Sequence, residues 1–471
     1  MMSPMEEGNK LLSVEESLSR VPVRLEELLG FRLECACGRV HSVELAGALV
    51  ENRVLEEAVW WARRASSRTV AVVFDARTRE IAGEQLVTWL RKDGRRLETV
   101  LVPDAADGRP HADQKTVELV QKAISGCDFS IAVGAGTIND LVKLASFRLG
   151  RPYLVAATAP SMNGYTSAIA AITENGLKKT VECHQPLAVI CDLEIISRAP
   201  QEMIAAGVGD LESKPTAGSD FRLAHWVRRE WWCPVPEKVV LEAEARVAEA
   251  AADIRGRDRQ ALGLLCRALL LSGISMKLAG SSAPASGAEH LISHYWDMCA
   301  SGEGRSEGLH GLQVGVATLV SSALYEEILR LEPEQIDPES LAQQAAGEAE
   351  PDFRRLHRGW ENQAREELAR KTLDREGLRA ELRRLRDGWP QLVAFLRENF
   401  RPTEQIRQIL RQVGCPLTVE GLGLGREQLE RAWEAARHIR ARFTILDLAW
   451  ELGLMKRLKE VVLARSGVVN F

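Results

Sequence analysis

The chain has 471 residues, of which 27% are charged and 45% hydrophobic, and its formal net charge is -5. This length is sufficient for two or three hydrophobic cores. The charge argues against a nucleic-acid partner, which would need a basic domain or stripe, and no apolar run reaches the roughly 20 residues of a membrane span.

The chain begins with a polar, acidic stretch, residues 1–12, which lacks the apolar core of a secretory signal. The nine cysteines are scattered and odd in number, which is typical of reduced thiols and not of a disulfide framework. We therefore expect a cytoplasmic protein without a membrane span.

The first candidate site in chain order is the group Cys35, Cys37 and His41, with Gly38 between them. A Cys-x-Cys-Gly-x-x-His group could bind zinc. However, no second cysteine pair follows nearby, and a one-residue gap is shorter than the usual spacing of structural zinc ligands. We favour the plainer interpretation, a turn at Gly38 between short strands at residues 31–35 and 40–43.

The first part of the chain alternates predicted strands and helices. Apolar runs predict buried strands at residues 69–74, 97–102, 129–133, 153–157 and 187–191, and helices at 83–92 and 117–123. This alternation is typical of a parallel sheet with helices on both faces. We therefore predict an α/β domain at residues 1–198, which the glycine turn described below makes a candidate dinucleotide-binding domain.

After about residue 200, strand candidates disappear and helical periodicity dominates, most clearly at residues 239–253, 259–279 and 312–331. We predict an all-helical domain at residues 199–471, which the candidate ligands described below make a metal-binding and catalytic domain, with the site in the cleft between the two domains. Residues 331–399 form a charge-dense helical insert, either a solvated helix with weak ion pairs, which we favour, or an interaction arm. The tail, residues 427–463, is helical again, with an interruption at Gly453.

A glycine turn follows the strand predicted at residues 129–133. Gly134 and Gly136 would let a dinucleotide pyrophosphate approach the backbone, and the N-terminus of the following helix supplies free N–H groups. Thr137 adds a hydroxyl donor, and Asp140 lies in the first helical turn. Asn139 stands where the common fingerprint has a third glycine, so the turn alone is a weak signal.

Two further loops at the same sheet edge carry polar side chains. Residues 157–167 follow the next strand and include Thr158, Ser161 and Asn163, which favours a ligand site, although such residues also simply make turns. Asp75 follows the strand at 69–74. It could accept a hydrogen bond from an adenosine ribose hydroxyl or cap a helix, so the choice between NADH and NADPH stays open.

Three widely spaced side chains, Asp210, His290 and His310, are candidate metal ligands. One carboxylate and two imidazoles are sufficient for a divalent metal that keeps a coordination position open for substrate. His294 lies four residues after His290 and would share its helical face. Each residue alone would more often be a cap or a satisfied polar group, and only the combination favours a metal.

Six segments together resemble the sn-glycerol-1-phosphate dehydrogenase family, which belongs to the iron-containing alcohol dehydrogenase and dehydroquinate synthase-like group: residues 133–143, 157–167, 206–225, 286–298, 309–319 and 444–449. The resemblance spans most of the chain except about the first 30 residues and the 331–399 insert. It implies a nucleotide-binding α/β domain followed by a helical metal domain.

The resemblance also implies site residues. Asp210, His290 and His310 match the family's metal ligands, and the metal is usually zinc, sometimes nickel or iron. The residues that match the cofactor loops are Gly134, Gly136, Thr137, Asn139, Asp140, Thr158 and Ser161. Asn163 stands where the family commonly has an aspartate that faces the substrate, so the charge is lost here but the hydrogen-bonding shape is kept.

The implied reaction is the reversible reduction of dihydroxyacetone phosphate to sn-glycerol 1-phosphate by NAD(P)H. His294 is a candidate proton carrier, and Lys214, four residues after Asp210, is a candidate contact for the substrate phosphate, with a surface ion pair as the alternative. His225 has weaker support than these two as a site residue.

The alternatives are a dehydroquinate synthase-like lyase, another metal-dependent polyol or alcohol dehydrogenase, and a non-catalytic docking protein. The lyases carry a Gly-Gly-Lys segment where this chain has Gly164-Tyr165-Thr166. The sequence leaves the oligomeric state open, a homo-oligomer included.

Overall fold

The computed structural model describes residues 13–65, 67–174 and 176–469. In chain order, its strands are β1 (Arg32–Glu34), β2 (Val40–Ser42), β3 (Gly47–Glu51), β4 (Thr69–Phe74), β5 (Arg96–Leu101), β6 (Phe129–Gly134), β7 (Tyr153–Ala157), β8 (Ile169–Glu174), β9 (Leu177–Glu182) and β10 (Ala188–Asp192). The helices that precede, separate or directly follow these strands are α1 (Val14–Ser19), α2 (Glu57–Arg64), α3 (Ala76–Thr78), α4 (Glu84–Lys92), α5 (Gln114–Ile124), α6 (Gly136–Arg148) and α7 (Leu193–Ile196).

The rest of the described chain is helical. Its helices are α8 (Gln201–Leu211), α9 (Lys214–Arg228), α10 (Pro234–Glu249), α11 (Ala251–Arg255), α12 (Arg259–Ala279), α13 (Ala288–Gly302), α14 (His310–Ile328), α15 (Pro338–Gly347), α16 (Phe353–Leu356), α17 (Glu361–Ala369), α18 (Arg375–Asp387), α19 (Trp389–Arg397), α20 (Thr403–Val413), α21 (Arg426–Ala435), α22 (Ile445–Glu451) and α23 (Met455–Ser466). An α/β region therefore precedes a helical region, as the sequence predicts.

The central sheet has six parallel strands in the order β3-β10-β7-β6-β4-β5. Every residue of β6, β7 and β10 is buried, because these apolar runs are covered on both faces. The chain runs from β4 outward to β5 and then returns to β6 on the other side of β4. The loops after β4 and β6 therefore flank the point where the strand order reverses, which is where open α/β sheets bind ligands.

The sequence did not predict β3 or the β8–β9 hairpin. β3 is a short strand at the sheet edge that pairs only with β10. The hairpin strands are partly exposed and carry lysines and glutamates, so neither shows the apolar run that marks a buried strand. The hairpin still matters, because it forms one wall of the cavity described below.

The N-terminal hairpin of β1 and β2 is antiparallel, and its turn uses Gly38 at a φ of +81°, in the left-handed region that favours glycine. The predicted turn is therefore confirmed. β2 packs against α12, and the His41 ring nitrogen Nδ1 bonds to the carbonyl of Leu278 there. The hairpin thus lies early in the chain but contacts the helical region.

The boundary predicted at residues 198/199 falls between β10 and α8, and the division into two domains remains a proposal. The helix predicted at 259–279 is confirmed as α12, and the one predicted at 239–253 divides into α10 and α11. The tail is interrupted at Gly453, which has a φ of +65°. The 331–399 insert packs onto the main core through apolar side chains, while its arginines face outward. The buried apolar side chains in α18 and α19 are Leu378, Leu382, Leu385, Trp389, Leu392 and Leu396.

One helix of the described chain, α12, is long and apolar enough to cross a membrane by length and composition, with a mean hydropathy of 1.6. Of its most apolar stretch, 83% is buried inside the protein. Its apolar side chains therefore already have protein partners, which is the property of a core helix.

Candidate metal and cofactor site

The site is built around a close contact between the backbones of α8 and α14. A Cβ atom on Gly209 would lie 2.3 Å from the carbonyl oxygen of Gly311, and one on Gly311 would lie 1.9 Å from that of Ala206. Only glycine allows two helices to approach this closely. The contact brings Asp210, near the end of α8, beside His310, the first residue of α14.

The three candidate metal ligands converge as predicted. The ligand atoms of Asp210, His290 and His310 all lie within 4.8 Å of one another, and the distance from Asp210 Oδ1 to His290 Nε2 is 3.7 Å. Asp210 and His290 are buried, and His310 is half-buried. One carboxylate and two imidazoles at these distances suit a divalent metal with an open position.

The orientation of His290 is fixed by its neighbour Glu289. The Nδ1 atom of His290 lies 2.9 Å from Oε1 of the buried Glu289 carboxylate, so Nδ1–H donates and the lone pair of Nε2 is left facing Asp210. The same Glu289 oxygen accepts from the backbone N–H of Gly287 at 2.7 Å, which holds the carboxylate in place. A carboxylate behind a histidine is a common arrangement in metal sites.

His310 and His294 are held in the neutral form that a metal ligand or a proton acceptor needs. Desolvation, followed by the nearby His290, lowers the pKa of His310 to about 3. Desolvation also lowers the pKa of His294 well below its ordinary value. The two rings stack with centroids 5.5 Å apart, and the Nδ1 atom of His294 is buried with no hydrogen-bond partner in the described part of the chain.

Asp210 is held ionised by two neighbours. Burial alone would raise the pKa of its carboxyl, but the ammonium of Lys214 holds that pKa well below its usual range. Lys214 Nζ donates to Oδ1 at 2.9 Å. Asn163 adds two bonds, from its backbone N–H to Oδ2 at 3.0 Å and from its side-chain amide to Oδ1 at 3.1 Å.

Lys214 is fully buried, which rules out the surface ion pair considered as an alternative. Its ammonium donates to Asp210, to the hydroxyl of Ser213 and to the carbonyl of Ala285. An ammonium has three donors, so all are used on protein atoms. The structure therefore favours a role in positioning Asp210 over the predicted contact with a substrate phosphate. His225 lies outside the site, exposed, with Nδ1 bonded to the Glu230 carbonyl.

A cavity of about 730 Å³ joins the candidate ligands to the carboxyl edge of the sheet. This volume is in the usual range for a small-molecule site. Most of the predicted site residues line it: Asp75, Gly136, Thr137, Asp140, Thr158, Ser161, Asn163, His290, His294 and His310. The other predicted residues are buried next to the lining: Gly134, Asn139, Asp210 and Lys214.

The glycine turn after β6 opens onto this cavity. The N-cap of α6, Ala135, makes no side-chain capping bond, so the first N–H groups of the helix are free to meet an anion. A Cβ on Gly134 would lie 2.7 Å from Cβ of Ile138, so packing alone requires that glycine. At Gly136, a Cβ would face only the flexible Met162 side chain at 3.1 Å, at the cavity wall.

Asn139 and Asp140 brace the start of α6. The Asn139 amide donates to Asp140 Oδ1 at 2.8 Å, and Asp140 Oδ2 accepts from the backbone N–H of Ala171 in β8 at 3.1 Å. These bonds fasten the glycine turn to the β8–β9 hairpin. A direct contact of either residue with the cofactor remains a prediction.

Asp75 caps α3, which is one of the two roles that the sequence leaves open for it. Its Oδ1 atom accepts from the backbone N–H of Thr78 at 2.8 Å. Its other oxygen lies 3.5 Å from the guanidinium of Arg77, which also lines the cavity. The carboxylate is thus present at the cavity wall beside a cation, and its contact with the cofactor ribose stays a prediction.

Sequence analysis missed Lys178, a cavity residue on β9. Its ammonium donates to the buried carboxylate of Asp297 and lies 3.6 Å from Glu307. Its charge contributes to the lowered pKa of both His294 and His310. Nothing in the local sequence separates it from the next residue, Lys179, which is half-buried and pairs with Glu174.

Known proteins are similar in sequence to the parts of the chain that form this site. A model of the iron-containing alcohol dehydrogenase family matches residues 50–200. The glycerol-1-phosphate dehydrogenase [NAD(P)+] of Geobacillus stearothermophilus is 30% identical over 433 residues, which cover 91% of this chain and 98% of that protein. The protein of the same name from Halalkalibacterium halodurans is 35% identical, over 63% of this chain and 75% of its own length. This chain belongs to the glycerol-1-phosphate dehydrogenase family.

The fold is also shared with more distant enzymes. The crystal structure of a probable glycerol dehydrogenase from Sinorhizobium meliloti matches with a TM-score of 0.60 at 16% sequence identity, over 90% of this chain and 98% of that one. At this identity the likeness concerns the fold alone. It supports the order found here, a parallel sheet followed by helices.

We expect His310→Ala to lose the metal bound by Asp210, His290 and His310, because two remaining ligands cannot hold a divalent ion tightly. The fold should persist, since His310 is half-buried at a helix start. Elemental analysis and circular dichroism measure both outcomes. The matched control is His225→Ala, which removes an exposed histidine. Full metal content in the His310 variant would show that the assignment is wrong.

We expect Gly136→Val to weaken NAD(P)H binding by well over tenfold, which is more than about 1.4 kcal/mol, because the branched side chain would enter the space of the pyrophosphate. A fluorescence titration measures the affinity. Gly126→Val is the matched control, since a Cβ on Gly126 meets no atom within 4 Å. Equal affinity in the two variants would mean that this turn does not bind the cofactor.

We expect Asn163→Ala to lower the affinity for the metal by about tenfold or more, because partners behind a ligand orient it. The variant loses the amide bond to Asp210 Oδ1 but keeps the backbone bond to Oδ2. Competition against a chromophoric chelator measures the metal affinity, and the cofactor affinity serves as the internal control. An unchanged metal affinity would show that the Asn163 amide does not position Asp210 for the metal.

Proposed function

We propose that this protein is a metal-dependent dehydrogenase that interconverts dihydroxyacetone phosphate and sn-glycerol 1-phosphate with NAD(P)H. The observation that carries the proposal is a single cavity lined by two of the candidate metal ligands, His290 and His310, and by the uncapped N-terminus of α6. The names of the curated relatives point to the same activity. A hydride donor and a metal-held substrate would meet in that cavity.

The residues present fit a divalent metal. Asp210 is ionised, His290 presents Nε2, and His310 is neutral, which are the protonation states that ligands need. Zinc is our first choice, and the mixed oxygen and nitrogen donors would also accept nickel or iron. When bound, the metal would supply a Lewis acid for the carbonyl oxygen of the substrate.

The chain itself supplies binding and orientation. The free N–H groups at the start of α6 would hold the cofactor pyrophosphate, with Thr137, Thr158 and Ser161 along the same wall. The cofactor would then lie across the carboxyl edge of the sheet, in the cavity that His290, His294 and His310 also line. Holding the reacting carbon atoms in contact is worth a large part of the rate increase in such transfers.

His294 is our candidate for the proton carrier. It lines the cavity beside His310, and its buried Nδ1 atom lacks a hydrogen-bond partner among the described residues. A buried polar atom without a partner costs free energy, so a ligand is its natural partner. In the oxidation direction, the neutral His294 ring would accept the hydroxyl proton of sn-glycerol 1-phosphate, and in the reduction direction it would return that proton to the substrate oxygen.

For the substrate phosphate we propose Lys178 in place of Lys214. Lys178 lines the cavity and lies near the histidines, whereas the three donors of Lys214 are used within the protein. The carboxylates of Asp297 and Glu307 raise the pKa of Lys178 above its ordinary value despite burial, which keeps the ammonium charged. Asn163 lines the same cavity and remains our candidate for a bond to a substrate hydroxyl.

We also infer a cytoplasmic location, since none of the nine cysteines is paired in a disulfide. This agrees with a small-molecule substrate and a nicotinamide cofactor.

The proposal is tested by following NADH and NADPH oxidation with dihydroxyacetone phosphate, with and without a chelator. We expect turnover that the chelator abolishes and added zinc, nickel or iron restores, and a product with the sn-1 configuration. Dihydroxyacetone, which lacks the phosphate, should react poorly. Equal or faster reaction with dihydroxyacetone would indicate an unphosphorylated polyol as the substrate.

The same assay tests whether Lys178 binds the substrate phosphate. Lys178→Met should lower kcat/KM for dihydroxyacetone phosphate by at least tenfold and change that for dihydroxyacetone much less, because only the first substrate has a phosphate. Lys179→Met is the matched control on the same strand. A loss of equal size with both substrates would remove Lys178 from phosphate binding.

A further inference from the structure

Four side chains that do not belong to the site described above converge at a second place in the structure. Cys35, Cys37 and His41 come from the β1–β2 hairpin, and Cys233 stands immediately before α10. Their sulfur and ring nitrogen atoms all lie within 4.8 Å of one another. Cys35, His41 and Cys233 are buried, and Cys37 is half-buried at the hairpin turn.

The spacing between these atoms is that of a tetrahedral zinc site. Zinc–sulfur bonds of about 2.3 Å and zinc–nitrogen bonds of about 2.0 Å place sulfurs about 3.8 Å apart and sulfur and nitrogen about 3.5 Å apart. The sulfurs of Cys35 and Cys233 are 3.8 Å apart. His41 Nε2 lies 3.4 Å from the sulfur of Cys37 and 3.4 Å from that of Cys233.

The orientation of His41 is fixed from outside the cluster. Its Nδ1 atom lies 2.8 Å from the carbonyl oxygen of Leu278, so Nδ1–H donates there. The lone pair of the neutral ring is then on Nε2, which faces the sulfurs. A backbone carbonyl in this role is a common second partner of a zinc-bound histidine.

The hairpin turn brings its two cysteines to the same side. The backbone N–H of Gly38 donates to the Cys35 carbonyl at 3.0 Å, and the N–H of Cys35 donates to the Arg39 carbonyl at 3.1 Å. This tight turn makes the one-residue gap between Cys35 and Cys37 compatible with a shared ion. The fourth ligand, Cys233, is 192 residues beyond His41, so no local motif reveals it.

We propose that Cys35, Cys37, His41 and Cys233 bind a structural zinc ion, separate from the ion held by Asp210, His290 and His310. Four protein ligands complete a tetrahedron and leave no position for substrate. Three thiolates also select zinc over harder divalent ions, whereas the first site is permissive. The ion would fasten the N-terminal hairpin to α10, in addition to the His41 bond to α12.

The first test is the zinc content of the purified holoprotein and of Cys37→Ser, which changes the most exposed ligand. We expect this variant to lose a single equivalent of zinc and to unfold at a temperature lower by roughly several degrees. Its kcat with the catalytic metal saturating should change less than twofold. Cys127→Ser, a buried cysteine outside both clusters, is the matched control. Equal zinc content in the two variants would overturn the proposal.

The second test needs no folded cysteine variant. The wild-type protein and His310→Ala, both loaded with cobalt, should show the thiolate-to-cobalt charge-transfer absorption of a tetrahedral sulfur-rich site. Because His310→Ala removes the first site only, an absorption retained in that variant belongs to the cysteine cluster. Absence of this absorption from both proteins, or a native mass two hydrogens lower from a Cys35–Cys233 disulfide, would contradict the proposal.

Discussion

The site depends on backbone contact between α8 and α14 through glycines. Side chains normally keep the axes of two packed helices about 8–10 Å apart. Here Gly209 and Gly311 have no room for a Cβ, and Gly207 has none against the carbonyl of Pro160 in the loop of Asn163. Helix α8 is therefore in close contact with both α14 and the loop after β7. Asp210 is placed next to His310 on one side and Asn163 on the other.

The close packing makes electrostatics the second constraint. A carboxylate that is fully buried would be costly alone, and losing one partner of a buried ion pair typically costs roughly 3–5 kcal/mol. Lys214 and Asn163 supply the compensation for Asp210 from within the protein. The carboxylate can therefore stay ionised and oriented before any metal binds. Glu289 does the same for His290 by fixing its tautomer.

Much of this arrangement could be predicted from sequence, because it rests on local signals. The apolar runs of β4, β6, β7 and β10 predict a buried parallel sheet, and the glycine turn after β6 predicts its ligand edge. Asp210, His290 and His310 were recognisable together as one donor set and by family resemblance. In the structure, their ligand atoms lie within 4.8 Å of one another.

The remaining features depend on distant contacts that local sequence does not encode. Lys214 has the spacing of a surface residue on a helix, yet it is buried because Asp210 and two other oxygens take its three donors. Lys178 becomes a cavity residue only through the fold of the β8–β9 hairpin. Cys233 joins the N-terminal cysteines only because α10 and the hairpin meet.

The central claim is that glycine packing preorganises Asp210, His290 and His310 around a divalent metal at the cofactor cavity. Anomalous diffraction from crystals of the metal-loaded protein, grown with NADH, tests this most directly. The account predicts a strong anomalous peak bonded to all three side chains, with the nicotinamide in the same cavity. A cavity that holds the cofactor but shows no peak at these three residues would contradict it.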